Sequence, residues 1–253
     1  VPHIQVAEQP GVGLDGRPRP TEDYVVVLDN AVVLLDGATS TRPGLPSGGW
    51  YADKLSTALA QRLRAAPDAD LADVLADAIA EVATDNGLRA RSAPSSTVAM
   101  LRWCADRVDA LVLADSPIVV FTTDGMRVIS DDRLADLRAG GQLQTGGAVH
   151  DRRNTAGGFW VAEADPDAAT HAVRASWPVA EVRAVLMATD GVSVGVDEYR
   201  VLDWETALDL ATRQGPAAVL DVVREAELAD PDGDRWPRAK RHDDQALVLL
   251  RFD

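Results

Sequence analysis

The chain has 253 residues, a length that one large α/β or all-β domain commonly fills. Acids outnumber bases 40 to 25, a formal net charge of −15, and a surface so negative argues against nucleic-acid and lipid-surface binding. With 46% hydrophobic and 26% charged residues the composition supports a packed core rather than disorder. The single cysteine, Cys104, excludes an internal disulfide or a Cys-x-x-Cys metal site and points to a reducing compartment, read here as the cytoplasm. The longest apolar runs, such as 31–35, fall far short of the roughly 18 residues a membrane span needs. No signal peptide is visible, and Val1 in place of an opening Met leaves room for a removed leader.

Along the chain, 25–28 and 31–35 read as β-strands joined by an Asp29-Asn30 hairpin turn. Leu55, Leu59 and Leu63 then repeat at helical spacing over 51–63, and a second apolar stripe runs over 71–82; Pro67-Asp68 breaks the two apart. Residues 97–103, 108–113, 118–122 and 126–129 look like an antiparallel meander, with Asp124-Gly125 as its clearest turn. The stretch 131–180 is the least regular, with one short helix expected at 132–138. A buried strand at 182–188, helices at about 204–213 and 216–227, and a last strand at 245–252 complete the chain. Strands in blocks with helices inserted in pairs favour antiparallel sheets covered by helices, in one domain spanning 1–253.

The position of certain acids is the informative feature. Asp36-Gly37 ends the strand at 31–35, Asp190-Gly191 follows the strand at 182–188, and Asp243-Asp244 and Glu22-Asp23 each precede a strand. Acids at the ends of apolar strands are costly unless a positive charge lies among them. Hard divalent cations, bound by carboxylate oxygens and a backbone carbonyl, meet that need. Asp-Gly is also a common turn dipeptide, and spacing alone does not establish that these acids meet in space.

Arg19-Pro20-Thr21-Glu22-Asp23, Leu34-Leu35-Asp36-Gly37-Ala38-Thr39, Ala114-Asp115-Ser116, Ala188-Thr189-Asp190-Gly191 and His242-Asp243-Asp244-Gln245-Ala246 occur in that order. Each is weak alone. Together, from about Arg17 to the C-terminus, they resemble the motif set of the metal-dependent protein phosphatase family (protein phosphatase 2C) in a bacterial, actinobacterial form. The resemblance implies an α+β fold, a four-layer α-β-β-α sandwich of two antiparallel sheets flanked by helix pairs, with a variable flap at about 131–180. It implies that Asp36 bridges two Mn2+ or Mg2+ ions, that Asp190 and Asp243 complete one of them, and that Glu22 and the Gly37 carbonyl complete the other. A third, weaker ion would be held by Asp115, with Asp190 shared. The family has no protein nucleophile; a water held between the ions attacks phosphorus. Asp23 is either a holder of metal-bound waters or a strand-edge acid, and Asp244 is expected near the site.

Departures from the pattern matter. Ala38 stands where eukaryotic members have a histidine proposed as general acid. The Gly-Asp-Ser-Arg motif reads Ala114-Asp115-Ser116-Pro117, so its glycine and arginine are lost. Arg17 and Arg19 flank the place of the phosphate-binding arginine, and Arg19 is preferred because it stands closer to Glu22. His3, His150, His171 and His242 form no zinc spacing; His242 is read as packing or hydrogen bonding. Ser95-Ser96-Thr97 lacks a nucleophile elbow and reads as a strand start, and 44–49 lacks a P-loop lysine. Asp151-Arg152-Arg153-Asn154 and Gly157-Gly158-Phe159-Trp160 in the flap serve either substrate docking or anchoring. The expected activity is phosphoserine/phosphothreonine protein phosphatase, acting as a monomer on a phosphoprotein substrate. A phosphatase for a small phosphorylated metabolite and a non-catalytic signalling module of the same fold are the alternatives; the four retained acids speak against the module.

Overall fold

Strands that are apolar on both faces need cover on both sides, and this chain supplies it in four layers. In the computed structural model, which describes residues 1–39 and 44–252, the strands form two antiparallel five-stranded sheets. One runs in the order β2 (Asp23–Val27), β3 (Ala31–Asp36), β4 (Val98–Trp103), β5 (Arg107–Leu113) and β8 (Val173–Pro178). The other runs β1 (His3–Gln9), β10 (Gln245–Arg251), β9 (Val182–Ala188), β6 (Ile118–Thr122) and β7 (Gly125–Ile129).

The period of two along each central strand sorts side chains into layers. Val32 and Leu34 of β3 meet Val248 and Leu250 of β10 between the sheets, while Val33 and Leu35 face the first helical layer. That layer is α1 (Gly48–Ala65) against α2 (Leu71–Asp85), packed through Leu55, Leu59, Leu75 and Ile79. On the opposite face Leu247 and Leu249 of β10 pack on α5 (Asp190–Asp197), α6 (Trp204–Gln214) and α7 (Ala217–Ala229). Among the described residues no helix is long and apolar enough to cross a membrane.

Several elements differ from the expectation. The four-strand meander is two hairpins in different sheets: β5 pairs with β4 and β8, whereas β6 pairs with β7 and β9, so residues 114–117 cross between layers. The edge strands β1 and β8 were not expected, because half-exposed edges carry polar and charged residues that blur the hydrophobic signal. The helix α5 was not expected either, since Asp-Gly followed by alternating valines has low helix propensity. It makes three helices of that outer layer. The region 131–180 holds α3 (Arg133–Ala139), α4 (Gly146–Arg152), a 3-10 turn (Pro166–His171) and β8, around a small core of Leu134, Leu137, Phe159 and Val161.

Candidate active site

The antiparallel registers bring every strand-end acid to the same end of the sandwich. Asp23 opens β2 directly across from Asp36, which closes β3. Asp115 follows β5 and Asp190 follows β9, while Asp243 and Asp244 precede β10, whose Leu247 pairs with Ala188. The backbone at this end is tightly held. Thr97 N–H donates to the Asp36 carbonyl at 2.9 Å and Thr97 Oγ1 accepts from Asp36 N at 3.0 Å. The same hydroxyl lies 2.6 Å from Ser116 Oγ, which ties the Asp36 strand to the Asp115 crossing. Ser96 and Thr97, read from sequence as a plain strand start, thus position the central acid.

Two glycines allow the close approach. A Cβ on Gly37 would fall on the backbone of Gly48 and Gly49 at the start of α1, and one on Gly191 would fall on the Asp244 carbonyl. Asp190 therefore sits in the first turn of α5, where backbone N–H groups favour negative charge, against the Asp243-Asp244 segment.

Electrostatics separate the acids into a crowded centre and tethered flanks. Burial and then the charges of Asp190, Asp23, Asp243 and Asp115 hold the Asp36 carboxyl well above the usual range. Asp190 is pushed up to about 7 by burial and by Asp243 and Asp115, although a hydrogen bond with the Asp36 side chain works the other way. Burial also raises Asp115, with Arg138 opposing. Asp23 is raised well above the ordinary value by burial, despite accepting a 2.8 Å hydrogen bond from Thr189 Oγ1.

The flanking acids have protein partners. Glu22 accepts from Thr39 Oγ1 at 2.6 Å and from Gly49 N at 3.3 Å, with Arg19 Nη2 at 4.0 Å. Arg17 instead is 85% exposed and stands near Asp15, so of the two arginines only Arg19 adjoins the acids. Asp243 is bonded by Lys240 Nζ at 2.5 Å, and Asp115 by Arg138 Nη1 at 3.4 Å. Lys240 was missed from sequence. Burial alone would lower its ammonium, but the charge and hydrogen bond of Asp243 outweigh that and push it up to about 12. Asp244 accepts from Gly11 N at 2.7 Å and Glu22 N at 3.3 Å, so it fixes the Glu22 backbone. His242 is buried with Nδ1 2.8 Å from Glu227 Oε2, a packing and hydrogen-bonding role.

With these tethers in place, no three Asp, Glu, His or Cys side chains among the described residues close around a single point. The chemistry of the acids still fits a hard divalent cation: carboxylate oxygens, with neither thiolate nor imidazole, and an excess of negative charge at the centre. A cavity of about 660 Å³ opens over Asp115, Asp190 and Asp243, walled by Lys240, Arg138 and Tyr199. Its size and its convergent polar groups suit a bound ligand.

This arrangement of sheets, helices and crossing loops is the fold of the PPM serine/threonine phosphatases. The catalytic domain of the serine/threonine protein phosphatase PstP, in complex with two manganese ions, superposes with a TM-score of 0.61 at 17% identity, covering 99% of this chain and 98% of that one. MsPP, a PPM Ser-Thr phosphatase from Mycobacterium smegmatis in complex with cacodylate, gives 0.62 at 17% identity, with 99% and 98% covered. Stp1 from Staphylococcus aureus gives 0.61 at 15% identity, with 100% and 96% covered. No family model and no curated protein matches the sequence itself.

Proposed function

We propose that the chain is a metal-dependent serine/threonine phosphoprotein phosphatase that hydrolyses phosphomonoesters. The observation that supports this best is the convergence of Asp36, Asp190, Asp243 and Asp115 at one end of a phosphatase fold, where burial and like charge raise the carboxyls of Asp36, Asp115 and Asp190. Asp36 would bridge two Mn2+ or Mg2+ ions, Asp190 and Asp243 would complete one, and Glu22 with the Gly37 carbonyl the other; Asp115 would serve a third, weaker ion with Asp190. When bound, the ions supply an activated water and offset charge on the phosphoryl group.

The chain's own side chains do the rest. Asp244 and Thr97 hold the backbones of Glu22 and Asp36, so the carboxylates are aimed before an ion arrives. Thr189 orients Asp23 beside them. The Arg19 guanidinium, 40% exposed with Nη2 4.0 Å from Glu22, would clamp a phosphate with two parallel hydrogen bonds. Ala38 carries no proton for a leaving alkoxide, so the residues themselves favour esters whose leaving group needs little protonation.

The test is hydrolysis of phosphoserine and phosphothreonine peptides, of a panel of small phosphorylated metabolites and of a generic aryl phosphate after exhaustive dialysis against chelator. Activity should vanish and return with Mn2+ or Mg2+, with phosphopeptides turned over at a higher kcat/KM than the metabolites; the aryl phosphate, whose leaving group needs little protonation, reports metal dependence alone. Full activity in excess chelator refutes the metal reading, and a preference for small phosphorylated metabolites over every peptide refutes the protein substrate.

A further inference from the structure

The link from β5 to β6 contains an anomaly. Ala114, immediately before Asp115, has φ +70°, a left-handed conformation that costs an alanine energy and a glycine almost none. Two features hold it there. Its backbone N–H donates to Asp131 Oδ2 at 3.2 Å. Its methyl is buried in the small core with Leu134, Leu137, Phe159 and Val161, a contact a glycine would forgo.

Asp131 is itself fixed from the flap side. It is buried, and Arg133 grips it through Nε to Oδ1 and Nη2 to Oδ2, both at 2.7 Å. The same Nη2 donates to the His171 carbonyl at 2.6 Å, which ties the pair to the end of the 3-10 turn that precedes β8. On the other side of the link, the Pro117 carbonyl accepts from Ala188 N at 3.1 Å, two residues before Asp190. The direction of the Asp115 carboxylate is therefore set at Ala114, and Ala114 is set by Asp131.

We propose that Asp131, gripped by Arg133, is a positioning residue that locks Ala114 in its left-handed conformation and so aims Asp115 at the metal cluster. The bracket and the buried methyl together do for an alanine what a glycine's freedom would do at that turn. This rests on the reading of Asp115 as a residue for the weakest ion.

The test is Mn2+ binding by titration calorimetry on the intact chain, with Asp115→Ala as reference. Asp131→Ala should weaken the weakest Mn2+ step by about ten-fold, as removal of supporting hydrogen bonds typically does, and leave the tight steps unchanged. Asp131→Asn, which keeps one acceptor, should fall between wild type and alanine, and it serves if the alanine variant does not fold. Ala114→Gly alone should leave the weak step within about two-fold. Added to either Asp131 variant, it should restore most of the lost affinity, because glycine keeps the left-handed turn without the bracket. A purely structural role for Asp131 would show no such rescue. If Asp115→Ala leaves the isotherm unchanged, the metal reading of Asp115 falls and the proposal with it. If Asp115→Ala weakens binding while the Asp131 variants do not, or glycine fails to rescue them, the positioning role alone is overturned.

Discussion

Replacing Asp190 by asparagine should stabilise the metal-free protein at neutral pH, against the usual expectation for a buried site residue. A carboxyl whose pKa is higher in the fold than in the unfolded chain holds its proton more tightly when folded. The metal-free fold therefore loses stability as pH rises from the ordinary Asp value of 3.8 to about 7, and stays at the lower level above that. The shift is roughly three units, which at about 1.36 kcal/mol per unit gives about 4 kcal/mol. Solvent reaches part of the Asp190 side chain, and neighbouring Asp36 takes up protons in its place, so about half, ~2 kcal/mol, should be measurable. Asparagine keeps an oxygen to accept from Asp36 while removing the charge. Urea unfolding followed by tryptophan fluorescence, in chelator from pH 5 to 8.5, is the assay. Wild type should weaken across that range while the asparagine variant changes less. By pH 8 the variant should lead by ~2 kcal/mol, or about 4–8 °C in Tm for a chain of this size. Saturating Mn2+ should reverse the order, since only wild type offers the full ligand set. A variant less stable than wild type at pH 8 in chelator would refute the crowding argument.

Two further outcomes follow from the tethers. Arg19→Ala should raise KM for phosphopeptides several-fold with little change in Mn2+ affinity, as loss of a substrate clamp does; an unchanged KM removes Arg19 from phosphate binding. Lys240→Met removes the ammonium that offsets Asp243, so in chelator Tm should fall, while Mn2+ affinity should rise because a competing cation is gone. The gap between loaded and stripped Tm should therefore widen, and a narrower gap would show that Lys240 supports the ions instead.

How much was legible in the chain depends on how much burial each segment experiences. β3, β9 and β10 are apolar on both faces, and their runs of Val and Leu announced central strands; the stripe of Leu71, Val74, Leu75, Ala78 and Ile79 announced α2. The edges were not legible. In β8 alternate residues face water and in β1 His3, Val6 and Glu8 do, and in β8 Arg174 pairs with Asp70 rather than with any apolar neighbour. The crossing at 114–117 was misread for a related reason. Four residues are as many as a hairpin loop needs, and only tertiary packing decides that Ile118 joins Met187 in the other sheet rather than pairing with β5.

The acids were visible because charge at the end of an apolar strand is expensive wherever it lies, whereas the groups that aim and balance them act across long stretches of chain. Asp131 meets Ala114 over 17 residues, Asp244 meets Gly11 over 233, and Arg138 reaches Asp115 from α3 although position 117 lost its arginine. One part of that balance does leave a trace in sequence. Arg19 stands three residues before Glu22 and Lys240 three before Asp243, so each flank of the site carries its own cation at the same spacing. Their surroundings differ: Lys240 lines the cavity over Asp115, Asp190 and Asp243, whereas Arg19 borders a separate hollow with Arg17 and Pro18, so only the Lys240 flank opens on the acids' cavity.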